Sequence, residues 1–235
     1  MPVYMIAGIA VEYDGDYDVL IERSKKYVAD EGTKPQLTIE KDSAFLERIR
    51  KQYPTLSEAD YEYAIIGDLF NKKILNYGGI MLHSSAVAVD GNAYLFSAPC
   101  GTGKSTHTQM WQKLLGEDKA VIINDDKPII RKIDGVYYAY GTPFSGKHDI
   151  SVNNGFPLNG ICFVCRGEEN RIERLKTEDA VTPFLNQTIK PRGMDECDKL
   201  FDIIDNLLNS IPCYKLYCRA DIEAAKISYN AMKGE

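Results

Sequence analysis

The chain has 235 residues and a net charge of −6, with 44% hydrophobic and 26% charged residues. This is ordinary usage for one large globular domain or two small ones, and it excludes a disordered or collagen-like chain. No run approaches the ~18 apolar residues of a membrane span, and the N-terminus lacks the basic start and apolar run of a signal peptide. We therefore expect a soluble, cytoplasmic protein with no membrane partner.

The charge is unevenly distributed. Residues 1–70 contain 14 Asp and Glu against 8 Lys and Arg, which already gives −6, and the remaining residues balance at 20 of each. An acidic N-terminal third repels a phosphate backbone, so nucleic acid is not an expected partner. The six cysteines are too few for a disulfide scaffold at this length. The pair Cys162–Cys165 lies inside an apolar run, which favours core positions over a metal or redox pair.

For residues 1–77 the sequence predicts a smaller α+β region, and no motif in it indicates a role. Its predicted strands are Val3–Tyr13, Tyr17–Ile21 and Gln36–Ile39, and the turn Asp14-Gly15 separates the first two. A helix is predicted at Ser43–Gln52. A longer helix follows, from a capping box at Thr55-Leu-Ser-Glu58 to about Tyr77. Gly78-Gly79 ends the long helix, and a boundary there divides the chain into residues 1–77 and 78–235.

From residue 78 the pattern is typical of an α/β fold. The predicted strands are Met81–Val89, Ala93–Ser97, Ala120–Ile123, Pro128–Lys132, Val136–Tyr140, Gly160–Cys165 and Cys213–Cys218. The predicted helices are Ser105–Leu115, Thr177–Phe184, Met194–Ser210 and Asp221–Met232. Asp90-Gly91 and Asp134-Gly135 predict hairpin turns.

One segment carries a chemical motif. Between a predicted strand and a predicted helix, Ala98-Pro-Cys-Gly-Thr-Gly-Lys-Ser105 has the spacing of a phosphate-binding P-loop, with Ala98 at the first glycine position. Its glycines permit positive φ and let backbone N–H groups approach phosphate oxygens, and the helix N-terminus adds a positive dipole. The lysine supplies charge for the β- and γ-phosphates, and the serine hydroxyl supplies a ligand for Mg²⁺. The predicted nucleotide-binding residues are Cys100, Gly101, Thr102, Gly103, Lys104, Ser105 and Thr106.

A second signal lies downstream, where the apolar strand Ala120–Ile123 ends in Asn124-Asp125-Asp126. Carboxylates at such a strand end hold the metal and polarise the nucleophile in P-loop enzymes. Adjacent carboxylates point to opposite sides of an extended strand, so a bend is needed for both to face one metal. We assign Asp126 together with Ser105 to Mg²⁺ and the other Asp to proton acceptance, and the sequence leaves the reverse assignment open.

Three segments together resemble the HPr kinase / ATP-dependent phosphoenolpyruvate carboxykinase superfamily: Leu82-His83-Ser-Ser-Ala-Val87, Gly101-Thr-Gly-Lys-Ser-Thr106 and Asn124-Asp-Asp126. The resemblance implies a P-loop α/β fold with a mixed sheet flanked by helices, and ATP and Mg²⁺ as cofactors. In HPr kinases a histidine on the strand entering the P-loop hairpin pairs with the Asp-Asp element. The implied catalytic residues are therefore His83, Lys104, Asp125 and Asp126. HPr kinases are hexamers, and by analogy a homo-oligomer is expected.

Departures from the family bear on the substrate. Phosphoenolpyruvate carboxykinases are much longer, and the Arg-Gly-Leu-Gly signature of bifunctional HPr kinase/phosphorylases does not occur in this sequence. In its place stands Tyr140-Gly-Thr-Pro-Phe-Ser-Gly-Lys-His148, which is similar to short HPr-kinase-like proteins. HPr itself is therefore not the expected acceptor. Lys147 is a candidate to steer the phosphoryl group or an acidic acceptor, with a solvated loop lysine as the alternative.

The favoured function is ATP- and Mg²⁺-dependent phosphotransfer to a hydroxyl of a small molecule, peptide or protein. The alternatives are a nucleotide-binding regulatory or partner module without transferase activity, a phosphoenolpyruvate carboxykinase-like activity, and hydrolysis or phosphorolysis at the same site. Three further interpretations complete the prediction. His107 is expected on the helix surface, with a position facing the nucleotide as the alternative, and Trp111 is expected in the core, with an adenine platform as the alternative. Arg166, Arg171 and Arg174 are expected to be solvent-facing charges rather than ligands.

Overall fold

The computed structural model describes residues 1–41, 47, 50–51, 53–191 and 193–234. The predicted helix Ser43–Gln52 falls largely outside the described residues. Within the described part of the chain, no helix combines the length and apolar character needed to cross a bilayer.

The N-terminal region packs a small sheet against a long helix. Its elements are β1 (Val3–Ile6), β2 (Ile9–Glu12), α1 (Asp18–Ser24), β3 (Leu37–Thr38) and α2 (Glu58–Ile74). Strands β1 and β2 are antiparallel, and β3 pairs in parallel with β2. The predicted run Val3–Tyr13 is two strands instead of one, because Ala7 and Gly8 take φ of 51° and 73° and reverse the chain.

Two details of this region correct the sequence predictions. Tyr17–Ile21 has no strand, because Leu20 and Ser24, one helical turn apart, are both buried on the inner face of α1. The long helix begins one residue after Ser57, whose hydroxyl accepts the Asp60 N–H at 3.2 Å. Ser57 is therefore the N-cap, and Thr55 is not. The helix ends as predicted, since a 3₁₀ turn leads into Gly78 at φ 67°.

The rest of the chain builds a mixed sheet. Its strands are β4 (Gly79–Met81), β5 (Ser84–Val89), β6 (Asn92–Ser97), β7 (Ala120–Asn124), β8 (Ile129–Ile133), β9 (Val136–Tyr140), β10 (Gly155–Arg166), β11 (Arg171–Arg174) and β12 (Cys213–Cys218). Among the described residues they form nine strands in the order β4-β8-β9-β10-β6-β5-β7, with β12 beside β10 and β11 beside β12. Strands β6 and β12 run parallel to β10, and the other pairs are antiparallel. The predicted mixed α/β architecture is confirmed.

Helices cover both faces of this sheet. They are α3 (Lys104–Leu115), α4 (Thr177–Asn186), α5 (Met194–Ser210) and α6 (Ile222–Lys233). Along β6 the side chains alternate: Leu95 packs in the cluster that contains α4 and α5, whereas Tyr94 and Phe96 pack with Trp111 and α6 in the opposite cluster. Burial on both faces explains why these strands read as continuous apolar runs.

The N-terminal region shares its core with the rest of the chain. Ile6 and Phe70 pack in one buried cluster with Met81, Ile129 and Phe144, which lie beyond the expected boundary at residues 77 and 78. The division into two units stays a prediction. The consequence for the site is that the N-terminal region is fixed against the segment that follows β9.

Two predicted strands differ in extent from the structure. Met81–Val89 is interrupted at Leu82 and His83, which separate β4 from β5. Strand β10 begins five residues before the predicted Gly160, and β11 was not predicted at all. All six cysteines are unpaired, and Cys162 is fully buried in β10, which confirms the core interpretation for that residue.

Candidate functional site

The loop between β6 and α3 has the conformation that its glycines permit. Gly101 and Gly103 take φ of 74° and 118°, in the region where a side chain is strained. A Cβ built on either glycine would meet nothing within 4 Å, so the requirement is conformational and not steric. Gly103 is also the N-cap of α3, so the unpaired N–H groups of the first helical turn face the loop.

The Lys104 side chain is folded back over this loop. Its ammonium donates to the carbonyl of Ala98 at 2.8 Å and to that of Pro99 at 3.4 Å, and the residue is only 7% exposed. Burial lowers its pKa, and the nearby groups of Asp126, Cys100 and Asp125 oppose that shift. A partly desolvated cation with two carbonyl partners is suited to exchange them for a more strongly charged oxygen.

The acidic strand end is bent by Asn124. This residue is fully buried, and its side-chain oxygen accepts the N–H groups of Asp126 and Lys127 at 3.0 and 2.8 Å. Its amide donates to the carbonyl of Thr142 at 2.9 Å. Asn124 therefore forms a local turn that ends β7 and supplies the bend that two adjacent carboxylates require to reach one space.

Asp125 is tied to the P-loop helix. The carboxylate is 8% exposed, and its Oδ1 accepts the Ser85 hydroxyl at 2.6 Å. Because the Ser85 proton goes to Asp125, the Thr108 hydroxyl donates to the Ser85 oxygen at 2.8 Å, with the Ser105 carbonyl at 3.0 Å as its alternative acceptor. This chain of hydrogen bonds fixes Asp125 relative to the first turn of α3.

Asp126 lies beside His83. The Nε2 atom of His83 is 3.4 Å from Asp126 Oδ1, and Nδ1 is 2.9 Å from the side-chain oxygen of Gln187. Burial lowers the pKa of His83, and the positive charge of Lys104 adds to that shift, so the ring is neutral near pH 7. With Gln187 accepting from Nδ1, the other ring nitrogen carries no hydrogen in the neutral ring and is free to accept a proton.

A loop after β9 closes the opposite side. Gly146 takes φ 72°, and a Cβ there would meet the Cβ of Asp126 at 3.0 Å, so the two backbones approach closely. The Gly146 N–H donates to the Tyr63 hydroxyl at 3.2 Å, and Tyr63 belongs to α2. The N-terminal region thus holds the loop that carries Lys147 and His148.

These elements surround one cleft of about 410 Å³, which we call the phosphate cleft. It is lined by Cys100, Gly101, Gly103, Lys104, Ser105, Thr106, Asp125, Asp126, His83, Gly146, Lys147 and His148. Of the predicted site residues, Thr102 lies on the other side of the loop. The structure brings the remaining ones together, and their roles stay predictions. In the described part of the chain no three His, Cys, Asp or Glu side chains form a ready-made metal site.

Sequence reasoning misplaced some residues and missed others. His107 was predicted on the helix surface, but it is 3% exposed, packs against Phe96 with tilted rings whose centroids are 4.5 Å apart, and bonds the Ser228 hydroxyl at 2.8 Å. Trp111 is fully buried, as predicted. Gln187 and Tyr63 were missed, since each reaches the site from a distant part of the sequence and carries no motif. Ser85 lies in the segment Leu82–Val87 that carries the family resemblance, but no role was assigned to it.

The contact that Arg166 makes with the loop between β6 and α3 was also missed. Its guanidinium donates to the Gly101 carbonyl at 2.6 Å, so it contacts the P-loop although the residue is exposed. Arg171 pairs with Glu173 at 2.8 Å and packs on the Tyr217 ring. Arg166 is therefore solvent-exposed, as predicted, and in addition contacts the loop between β6 and α3.

The fold and site define a mixed α/β protein in which a glycine-containing loop at a helix N-terminus faces an acidic strand end. No protein-family model matches the chain, and no curated protein matches its sequence. Among solved structures, the chain is similar to the HPr(Ser) kinase/phosphatase from Coxiella burnetii, with 9% sequence identity over 64% of this chain and 89% of that one, and a TM-score of 0.37. So distant a likeness says nothing about activity.

Proposed function

We propose that this protein is an ATP- and Mg²⁺-dependent phosphotransferase that transfers the γ-phosphoryl group to a hydroxyl of a small molecule or peptide. The observation that supports it best is the phosphate cleft, in which a P-loop lysine faces two carboxylates and a neutral histidine across one space. Catalysis of phosphoryl transfer requires mainly positioning and charge neutralisation, and these are the groups that supply both.

The donor set suits Mg²⁺. The Ser105 hydroxyl and the aspartate oxygens are hard ligands, and Mg²⁺ takes only one or two carboxylates in addition to phosphate oxygens and water. Because the bonds through Ser85 and Thr108 tie Asp125 to the first turn of α3, we now favour Asp125 over Asp126 as the partner of Ser105. Bound there, the ion would neutralise charge on the phosphates.

Asp126 is then the residue that faces the acceptor. It lies between His83 and the Gly146–His148 loop, so an acceptor hydroxyl entering past that loop meets this carboxylate. As the acceptor oxygen bonds to phosphorus, the bond from phosphorus to the leaving nucleoside diphosphate breaks and the hydroxyl proton passes to Asp126. The unprotonated Nε2 of His83 then accepts a hydrogen bond from the protonated Asp126 carboxyl. Lys104 compensates the negative charge of the phosphates, and Lys147 orients the acceptor.

A transfer assay tests this proposal. Purified protein is incubated with Mg²⁺ and γ-labelled ATP, together with serine- and threonine-containing peptides and polyols, with alanine-substituted peptides as acceptor controls. We expect label on hydroxyl compounds with the wild type, and with Asp126→Asn a loss of transfer of about 10²-fold or more without loss of nucleotide binding. Asp134→Asn, in the turn between β8 and β9, is the matched control. Nucleotide binding without transfer to any acceptor would instead indicate a regulatory nucleotide-binding module.

A further inference from the structure

The backbone around His83 is held by the segment that follows α4. His83 lies in the short break between β4 and β5, where its N–H donates to the Gln187 carbonyl at 2.8 Å. The next residue, Thr188, donates its hydroxyl to the Met81 carbonyl at 2.8 Å. From β6, the Ser97 hydroxyl donates to the His83 carbonyl at 2.9 Å. These bonds replace the strand pairing that the break removes.

The side chain of Gln187 adds a contact to the imidazole ring itself. Its oxygen lies 2.9 Å from Nδ1 of His83, and both residues are half-buried. One residue thus holds both the backbone and the ring of His83. The backbone bond fixes where the side chain begins, and the bond to Nδ1 fixes the rotation of the ring and determines which nitrogen carries the hydrogen.

Two groups compete for the single hydrogen of the neutral ring. The Asp126 carboxylate, 3.4 Å from Nε2, favours a hydrogen on that nitrogen, whereas the Gln187 oxygen favours it on Nδ1. The distances decide between them, because 2.9 Å is an ordinary N–H···O bond and 3.4 Å exceeds the usual range of about 2.7–3.2 Å. In the free protein the hydrogen therefore lies on Nδ1.

The position of this hydrogen matters for the proposed transfer. With the hydrogen on Nε2, the ring would donate to Asp126 and occupy a carboxylate oxygen that has to take up the proton of the acceptor hydroxyl. With the hydrogen on Nδ1, the Nε2 lone pair faces Asp126 and accepts a hydrogen bond once that carboxyl is protonated. The proposed reaction needs the second arrangement.

We infer that Gln187 is a positioning residue of the site, which holds the hydrogen of His83 on Nδ1 although Asp126 favours Nε2, and so keeps the Nε2 lone pair facing the carboxylate. The catalytic consequence of this inference rests on the proposed function. The hydrogen position itself is a property of the folded protein and can be measured without substrate.

Nitrogen-15 NMR of the imidazole rings at neutral pH tests the inference. The chain has three histidines, so the ring signals of His83 are assigned by their loss in His83→Gln. In the wild type we expect a protonated Nδ1 and an unprotonated Nε2. Gln187→Met has a side chain of similar length without an oxygen, and it should move the hydrogen to Nε2 in most molecules. Gln187→Glu keeps an acceptor oxygen and should keep a hydrogen on Nδ1.

The matched control is Thr188→Val. It removes the neighbouring bond to the Met81 carbonyl and should leave the hydrogen of His83 on Nδ1. In the transfer assay, Gln187→Met should lower kcat by about tenfold or more, which corresponds to one hydrogen bond to a charged group, while KM for Mg²⁺-ATP stays within about twofold. Thr188→Val should change neither kinetic constant.

The NMR and kinetic results separate the inference from the proposed function. A hydrogen on Nε2 in the wild type, or one that stays on Nδ1 in Gln187→Met, overturns the inference whatever the activity. If Gln187→Met and Thr188→Val change the His83 signals alike, the segment only supports the structure, and the inference is also overturned. An active wild type whose kcat is unchanged in Gln187→Met overturns the positioning role. If the wild type transfers no phosphoryl group, the proposed function fails, and the NMR result still decides where Gln187 holds the hydrogen.

Discussion

Lys104→Met separates phosphate binding from folding. In the free protein the substitution leaves the Ala98 carbonyl without its donor, a loss of about 1–3 kcal/mol, but it also removes a desolvated charge. Because these effects oppose each other, we expect the free energy of unfolding without nucleotide to change by less than about 1 kcal/mol. With nucleotide the two effects no longer cancel, since the variant has no cation for the β- and γ-phosphates.

The expected magnitude follows from ligand linkage. At a nucleotide concentration 100 times its Kd, the wild type gains about 2.7 kcal/mol of stability. A hydrogen bond to a charged group contributes about 1.5–3 kcal/mol, so Lys104→Met should bind roughly 10- to 150-fold more weakly. At the same concentration the gain then falls to about 0.3–1.4 kcal/mol. The increase in Tm with Mg²⁺-ATP should therefore drop to about half of the wild-type value or less.

Differential scanning calorimetry with and without Mg²⁺-ATP measures both quantities on one sample. Lys113→Met, an exposed lysine in the last turn of the same helix, is the matched control and should keep the full increase in Tm. If Lys104→Met keeps the full wild-type increase, this lysine does not contact phosphate and the reasoning is refuted.

Three further predictions concern stability and reactivity. Burial lowers the pKa of His107 from 6.5 to about 4, so between these pH values the unfolded chain binds a proton that the folded protein does not, and the free energy of unfolding falls by about 3 kcal/mol as pH drops from 6.5 to 4. In His107→Gln the free energy of unfolding should depend less steeply on pH over this range. A difference in unfolding free energy between the two proteins that stays constant from pH 6.5 to 4 would contradict the lowered pKa. Cys100 is the exposed cysteine and lines the phosphate cleft, so Mg²⁺-ATP should slow its modification by a thiol reagent at least severalfold. Cys100→Ser serves as the blank for reaction at the other cysteines. A modification rate that Mg²⁺-ATP does not change argues against phosphate binding at this loop. Asn124→Ala leaves two N–H groups without their acceptor, and urea denaturation should show a loss of about 2–4 kcal/mol. Asn92→Ala, at the half-buried start of β6, removes only a donor to the exposed Asp90 carbonyl and should change stability little.

The sequence predicted the elements that depend on local pattern. Met194–Ser210 and Cys213–Cys218 match the structure at both ends, because the amphipathic period of the helix and the apolar strand that follows it are strong and continuous. The glycine conformations of the loop between β6 and α3 and the acidic end of β7 also follow from local sequence, since both depend on adjacent residues. The phosphate-binding role of that loop stays a prediction.

Long-range contacts account for what was missed. The break at Leu82 and His83 arises because the His83 N–H donates to the Gln187 carbonyl at 2.8 Å, and that partner lies more than a hundred residues away in the chain. Tyr63 reaches the site only because α2 packs beside Phe144. Arg166 gains its contact through the parallel pairing of β10 with β6. No local period encodes these pairings, so the sequence alone could not reveal them.

A crystal structure with Mg²⁺ and a non-hydrolysable ATP analogue tests the central claim most directly. The account predicts phosphate oxygens within hydrogen-bond distance of the backbone N–H groups around Gly101–Thr106 and of Lys104, with the metal beside Ser105 and the acidic end of β7. An analogue bound elsewhere on the protein, with this loop facing only solvent, would contradict it.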